Sequence, residues 1–122
     1  MAGSIQDGPV LTLPTDSTLG QYLRVSVGTD GYLNVAALNE KDVGTTILPV
    51  LTAGVPASVR HRLAPGTCKF VVSEAVEVGD ILYSAANGKV ADTDSTGSGG
   101  EIVGICLEAA TADGQIIEAI RI

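Results

Sequence analysis

The chain has 122 residues and a net charge of −7, a length that makes one domain and a charge that argues against bare nucleic acid as a partner. Trp is absent and a single Phe stands among 15 glycines. The core must therefore be aliphatic, in a β-rich fold punctuated by turns.

Residues 1–20, MAGSIQDGPVLTLPTDSTLG, contain Pro9, Pro14 and three glycines with little periodicity. They make neither a helix nor a central strand, and are read as an extended arm ahead of a domain over 21–122. The start also lacks the basic and apolar regions of a secretory signal. QYLRVSV then alternates, with Leu23, Val25 and Val27 on one face and Tyr22, Arg24 and Ser26 on the other. GTDG turns the chain and YLNVAAL returns it, which predicts a hairpin. NEKDVGTT reads as a polar loop. ILPVLTAGVPA is the longest apolar stretch, but Pro49, Gly54 and Pro56 interrupt it, and it is too short to span a bilayer. No membrane partner is expected.

SVRHRL sets Val59, His61 and Leu63 against Ser58, Arg60 and Arg62, and CKFVV points Cys68, Phe70 and Val72 inward. ILYSA and KVA flank Asn87-Gly88, a pair suited to a type I′ turn because both positions need positive φ. DTDSTGSGG is a polar surface loop. EIVGICLE and IIEAIRI are the last strands, with Asp113-Gly114 turning between them. About eight short strands and no sustained helical spacing make the fold all-β, a small barrel or sandwich. No segment repeats at a fixed period strongly enough for a solenoid.

Chemistry-bearing motifs are sparse. His61 is the one histidine and lies between two arginines; without a second histidine or a Cys-x-x-Cys, a zinc site lacks ligands. No Gly-x-Ser-x-Gly offers a nucleophile. TGSGGE lacks the Gly-Lys-Ser/Thr end of a phosphate loop, and Asp92, Asp94 and Glu101 miss EF-hand spacing. Lys89 lacks the flanking methionines of a biotinyl or lipoyl carrier. Cys68 and Cys106 lie 38 positions apart in apolar phrases; buried free thiols are the default, and a disulfide requires their backbones to meet. No catalytic residue, metal or cofactor is expected. The charge is lopsided: residues 1–73 hold five acids and five bases, residues 74–122 nine acids and two bases.

With sites eliminated, the order of phrases is informative. Gly79, Asp80, Tyr83, Gly88, Lys89 and Val90, then Gly104, Leu107, Glu108, Ala109, Ala110 and Gly114, then IIEAIRI, resemble the C-terminal half of tailed-phage capsid decoration (cement) proteins. The resemblance covers about residues 57–122. It implies a small non-enzymatic β domain, usually a homotrimer, on the virion exterior. Such a protein is made in the host cytoplasm and binds the assembled head at three-fold or local three-fold positions, where major capsid protein subunits meet. The residues expected at the capsid contact are Pro9, Val10, Leu11 and Leu13 of the arm, together with Arg60 and Arg62. The alternative is a head-fibre or receptor- or glycan-binding β module, although glycan sites usually display more exposed aromatics than this chain has.

Overall fold

The structure, a computed structural model, describes Gln6 and residues 8–122. The arm residues 1–5 and Asp7 lie outside the described residues. Ten strands form among those described: β1 (Val10–Leu13), β2 (Arg24–Val27), β3 (Leu33–Val35), β4 (Gly44–Thr46), β5 (Ala57–His61), β6 (Thr67–Val71), β7 (Ile81–Ser84), β8 (Val90–Ala91), β9 (Ile102–Cys106) and β10 (Ile116–Arg121). They make two five-stranded antiparallel sheets, ordered β1-β5-β4-β2-β3 and β6-β10-β9-β7-β8. The fold is all-β. The two strands beyond the expected eight are β1 and β4. The prolines flank β1 rather than interrupt it, which an edge strand tolerates. The polar β4 is extended because β2 and β5 pair with it on both sides.

The two strand orders are identical once five is added to each number, and the equivalence holds residue by residue. Val25 pairs with Gly44, and Leu82 with Gly104; Thr45 pairs with Arg60, and Ile105 with Ile120. The isolated bridge Leu19–Val50 recurs as Val76–Ala110. Positions correspond at a spacing of 57 through the third strand and 60 thereafter, so the extra three residues of the second unit fall in its 92–101 loop. The chain is therefore a tandem of one β unit. Identity in the aligned segments is confined to Gly31/Gly88, Val43/Val103, Gly44/Gly104 and Gly54/Gly114, which is why the sequence shows no repeat.

Each sheet curls until its two edge strands touch at one end. The amide of Leu33 at the head of β3 donates to Pro14 O just past β1 (3.0 Å), and Val72 past β6 bridges Val90 of β8. Each small barrel has its own aliphatic filling. Leu19, Val25, Leu33, Val50, Ala57 and Val59 fill the first; Phe70, Val72, Leu82, Val103 and Ile117 are among those filling the second. Cys68, Phe70 and Val72 all point inward, as their alternation predicts. Cys68 and Cys106 are free and buried. Both pair with Ala119, one from each side of β10, so two inter-strand spacings of about 4.8 Å separate their backbones, too far for a disulfide.

The Asn87-Gly88 turn is present. Asn87 and Gly88 have φ of 61° and 73°, and Lys89 N donates to Ala86 O across them. Gly88 does more than turn the chain. A Cβ there would meet Arg24 O at 2.8 Å and Val35 Cγ1 at 2.9 Å in the first barrel, whereas at the equivalent Gly31, φ 86°, it would meet nothing. Gly31→Ala is therefore expected to cost only the left-handed backbone penalty, about 1 kcal/mol. Gly88→Ala adds overlap with packed neighbours and is expected to cost about 3 kcal/mol. Urea unfolding of the two variants checks this; equal midpoints would remove the hairpin tip from the joint between barrels.

Candidate functional site

The joint is polar and buried. Arg24, on the face of β2 opposite Val25, is 0% exposed. Its guanidinium donates to Lys89 O, Ala85 O and Glu40 O at 3.1, 2.8 and 3.2 Å, tying β2 to the tip of the β7–β8 hairpin. Asp42 stands at the centre. Its carboxylate accepts two bonds of 2.9 Å from Arg121 and lies 3.8 Å from both Arg24 and Arg62. Burial pulls the Arg24 pKa down from its ordinary value; Asp42 is the largest influence against that, and Arg121 and Arg62 add to the lowering. Arg121 also lies over the Phe70 ring, 5.2 Å from its centroid. Around the cluster, Gly88 N donates to Ala36 O and Asn39 N to Ser84 Oγ, both at 2.9 Å. The barrels thus form one block rather than beads on a linker.

The residues proposed from sequence for docking fall on or next to two adjacent strands, β1 at the sheet edge and β5 beside it, with Pro9 just before β1 and Arg62 just after β5. Val10 faces Arg60 across this pair and is 46% exposed; Pro9 O accepts from His61 N at 2.8 Å. Leu11 and Leu13 share a face with Val59 and Ala57 and pack on the first core, so part of the 1–20 segment belongs to the barrel. Arg60 donates to Pro65 O. Arg62 turns the other way, to Asp42 and to Glu101 at 3.5 Å, which commits its charge to the joint. On the open edge of β1 the side-chain amide of Gln6 donates to Thr12 O (3.0 Å) and accepts from Thr12 N (2.7 Å), standing in for a neighbouring strand. Beside it lies a shallow depression lined by Gly8, Pro9, His61, Leu63, Ala64 and Pro65, with Leu63 79% exposed.

The other polar features are structural. His61 Nδ1 accepts the amide of Leu63 at 2.9 Å. Burial raises both thiol pKa values, which disfavours the nucleophilic thiolate. Glu74 and Asp92 share a hydrogen bond that pushes Asp92 up and Glu74 down from ordinary carboxyl values. Among the described residues, no three His, Cys, Asp or Glu side chains gather as metal ligands, and no helix is long and apolar enough to cross a membrane. What the surface offers is shape and apolar contact on a stiff β block. Comparison with protein families supplies the deciding observation: residues 5–122 match the family described as phage cement protein.

The chain belongs to the phage cement protein family. It is a structural component of the virion, and its partner is the phage capsid. The match also takes in residues 5–56, outside the stretch that carries the sequence resemblance. No curated protein matches the chain. Among solved structures, this cement protein is similar to the head fiber gp8.5 N base in bacteriophage phi29. The TM-score is 0.71 at 20% identity, over 93% of this chain and 92% of that one; the likeness is one of fold.

The structure brings Val10, Leu11, Leu13 and Arg60 together on β1 and β5; sequence reasoning missed the Asp42 cluster, because Asp42 reads as one more charge in a polar loop. It also left unread the outer face of IIEAIRI, where the alternation puts Ile116, Ile120 and Ile122 opposite the buried Ile117 and Ala119.

Proposed function

We propose that this cement protein is a capsid decoration protein. It binds the outer surface of the assembled head at three-fold or local three-fold positions, as a homotrimer, against the major capsid protein. Family membership over residues 5–122 carries the reading. A ligand that binds the closed lattice and not the free subunits stabilises the lattice by linkage, and three linked copies add modest contacts through avidity. The first barrel, whose sequence half has balanced charge, faces the shell through the β1 edge and the Val10–Arg60 corner; the acidic second half faces solvent. An exposed strand edge held by a side-chain amide suits strand addition from a capsid subunit.

Co-sedimentation with empty, expanded shells tests the reading. Saturable binding to shells and little binding to unassembled capsid subunits is expected. Val10→Asp and Arg60→Glu are expected to weaken shell binding about tenfold each, a loss of about 1.4 kcal/mol, with unchanged melting temperature. Equal affinity for shells and free subunits would overturn the linkage mechanism, and full binding by both variants would move the docking face elsewhere. The fold likeness to a head fibre base favours one second reading, a head-fibre or receptor- or glycan-binding module, which predicts binding to host cells or sugars instead.

A further inference from the structure

One turn occurs in both units with different residues. The spacing of 57 that relates the units takes Tyr22 to Gly79. Each lies two residues ahead of its strand, β2 or β7. Each has a positive φ, 59° for Tyr22 and 91° for Gly79. Each donates its amide to the equivalent carbonyl, Tyr22 N to Thr46 O at 2.9 Å and Gly79 N to Cys106 O at 2.8 Å. Glycine adopts this backbone freely, whereas a bulky residue is strained in it. The second unit takes the relaxed residue and the first keeps a tyrosine. The ring belongs to neither apolar core. It lies under Lys69 Nζ, 5.9 Å from the ring centroid, and one cation–π contact to an exposed lysine returns less than the left-handed backbone costs. Strain of this kind gathers at sites that clamp a ligand.

Tyr22 stands in a cleft between the barrels. Thr45 and Arg60, of β4 and β5, line it from the first barrel; Thr67, Lys69 and Glu118, of β6 and β10, line it from the second. Its two cations are unpaired. Of the chain's seven lysines and arginines, Arg24, Arg62, Lys89 and Arg121 meet carboxylates; among the described residues Lys41, Arg60 and Lys69 do not. Two of those three share this cleft, in a chain of net charge −7. Glu118 pairs with neither, and its carboxylate accepts from Thr67 Oγ1 at 2.6 Å. Arg60 uses a donor on Pro65 O and keeps the rest of its fork.

We propose that the cleft binds an acidic segment of the capsid subunit, with Arg60 and Lys69 holding a carboxylate and the Tyr22 ring packed against the segment. The inference rests on the capsid-decoration reading and names the chemistry recognised there. Arg60 faces Val10 across the β1–β5 pair, so the cleft continues the corner that reading assigns to the shell. A guanidinium fork fixes a carboxylate in orientation, and a lysine adds a second charge. Tyrosine and arginine are the side chains that carry binding energy at protein interfaces. The turn that strains Tyr22 also fixes its backbone before docking, which lowers the ordering cost.

Co-sedimentation of the full chain with empty, expanded shells, run beside urea unfolding, tests the proposal. Tyr22→Gly gives the turn the second unit's residue. It is expected to keep or raise the urea midpoint and yet to weaken shell binding about tenfold. Lys69→Gln is expected to weaken binding about tenfold, and Glu118→Gln to strengthen it about threefold by removing a like charge, both with little change in midpoint. A lower midpoint for Tyr22→Gly makes the tyrosine a brace between barrels and overturns the assignment. Unchanged shell binding by Tyr22→Gly and Lys69→Gln also overturns it, and leaves the capsid-decoration reading standing. If those two variants instead lose binding to host cells, the cleft belongs to the receptor- or glycan-binding reading. A natural chain that fails to bind shells overturns the capsid-decoration reading itself, and this inference with it.

Discussion

Replacing Asp42 with alanine will destabilise the fold by about 3–5 kcal/mol, the range for removing one partner of a buried ion pair. One carboxylate answers three guanidinium groups there, with Arg121 at 2.9 Å and Arg24 and Arg62 at 3.8 Å. Arg24 is fully buried, and its backbone acceptors satisfy its donors without neutralising its charge. Without Asp42, the burial that already lowers its pKa is joined by Arg121 and Arg62, with the largest opposing influence gone. The loss falls on the joint, so the barrels should part or unfold together. Urea unfolding measures it. Glu101→Gln is the companion, because Glu101 meets Arg62 at 3.5 Å and is 29% exposed; it is expected to cost less than about 1 kcal/mol. An Asp42→Ala protein within about 1 kcal/mol of the natural one would mean that the cluster does not hold the barrels.

Gly104→Ala will cost about 3 kcal/mol or more, from overpacking together with weakened ladder hydrogen bonds. A Cβ at Gly104 would run into the carbonyl of Ile120 on the next strand. That carbonyl cannot retreat without opening the β9–β10 ladder. Gly44, its counterpart in the first barrel, faces the carbonyl of Arg60 in the same way, so Gly44→Ala should behave alike. The shared requirement follows from closure: strands curled into so small a barrel approach too closely at this position for any side chain. Gly8→Ala, where a Cβ meets nothing within 4 Å, should stay within about 0.5 kcal/mol. The check is the urea midpoint of the three variants. If either strand glycine tolerated alanine as well as Gly8, the tight closure inferred for both units would be wrong.

Both expectations bear on function through stiffness. A decoration protein gains from rigidity, because order already present in the free chain need not be imposed on docking. The buried cluster and the two glycines hold the β1–β5 corner on a stiff two-barrel block.

Local chemistry was legible in the sequence. Period-2 alternation in CKFVV put Cys68, Phe70 and Val72 inside, and Asn87-Gly88 announced a turn with two positive φ values. Each depends on a few neighbouring residues. The scarcity of aromatics set an aliphatic β core, and the ordered phrases over 57–122 pointed to the family that the match over 5–122 shows. Tertiary structure alone decided that GTT is a strand, that Arg24 has no exposed surface, that Asp42 joins two barrels, and that one unit occurs twice. Those facts depend on pairing between strands far apart in the chain and on which second face becomes covered. Period-2 alternation assigns a side chain to a face, but it cannot say whether water or another barrel lies against it.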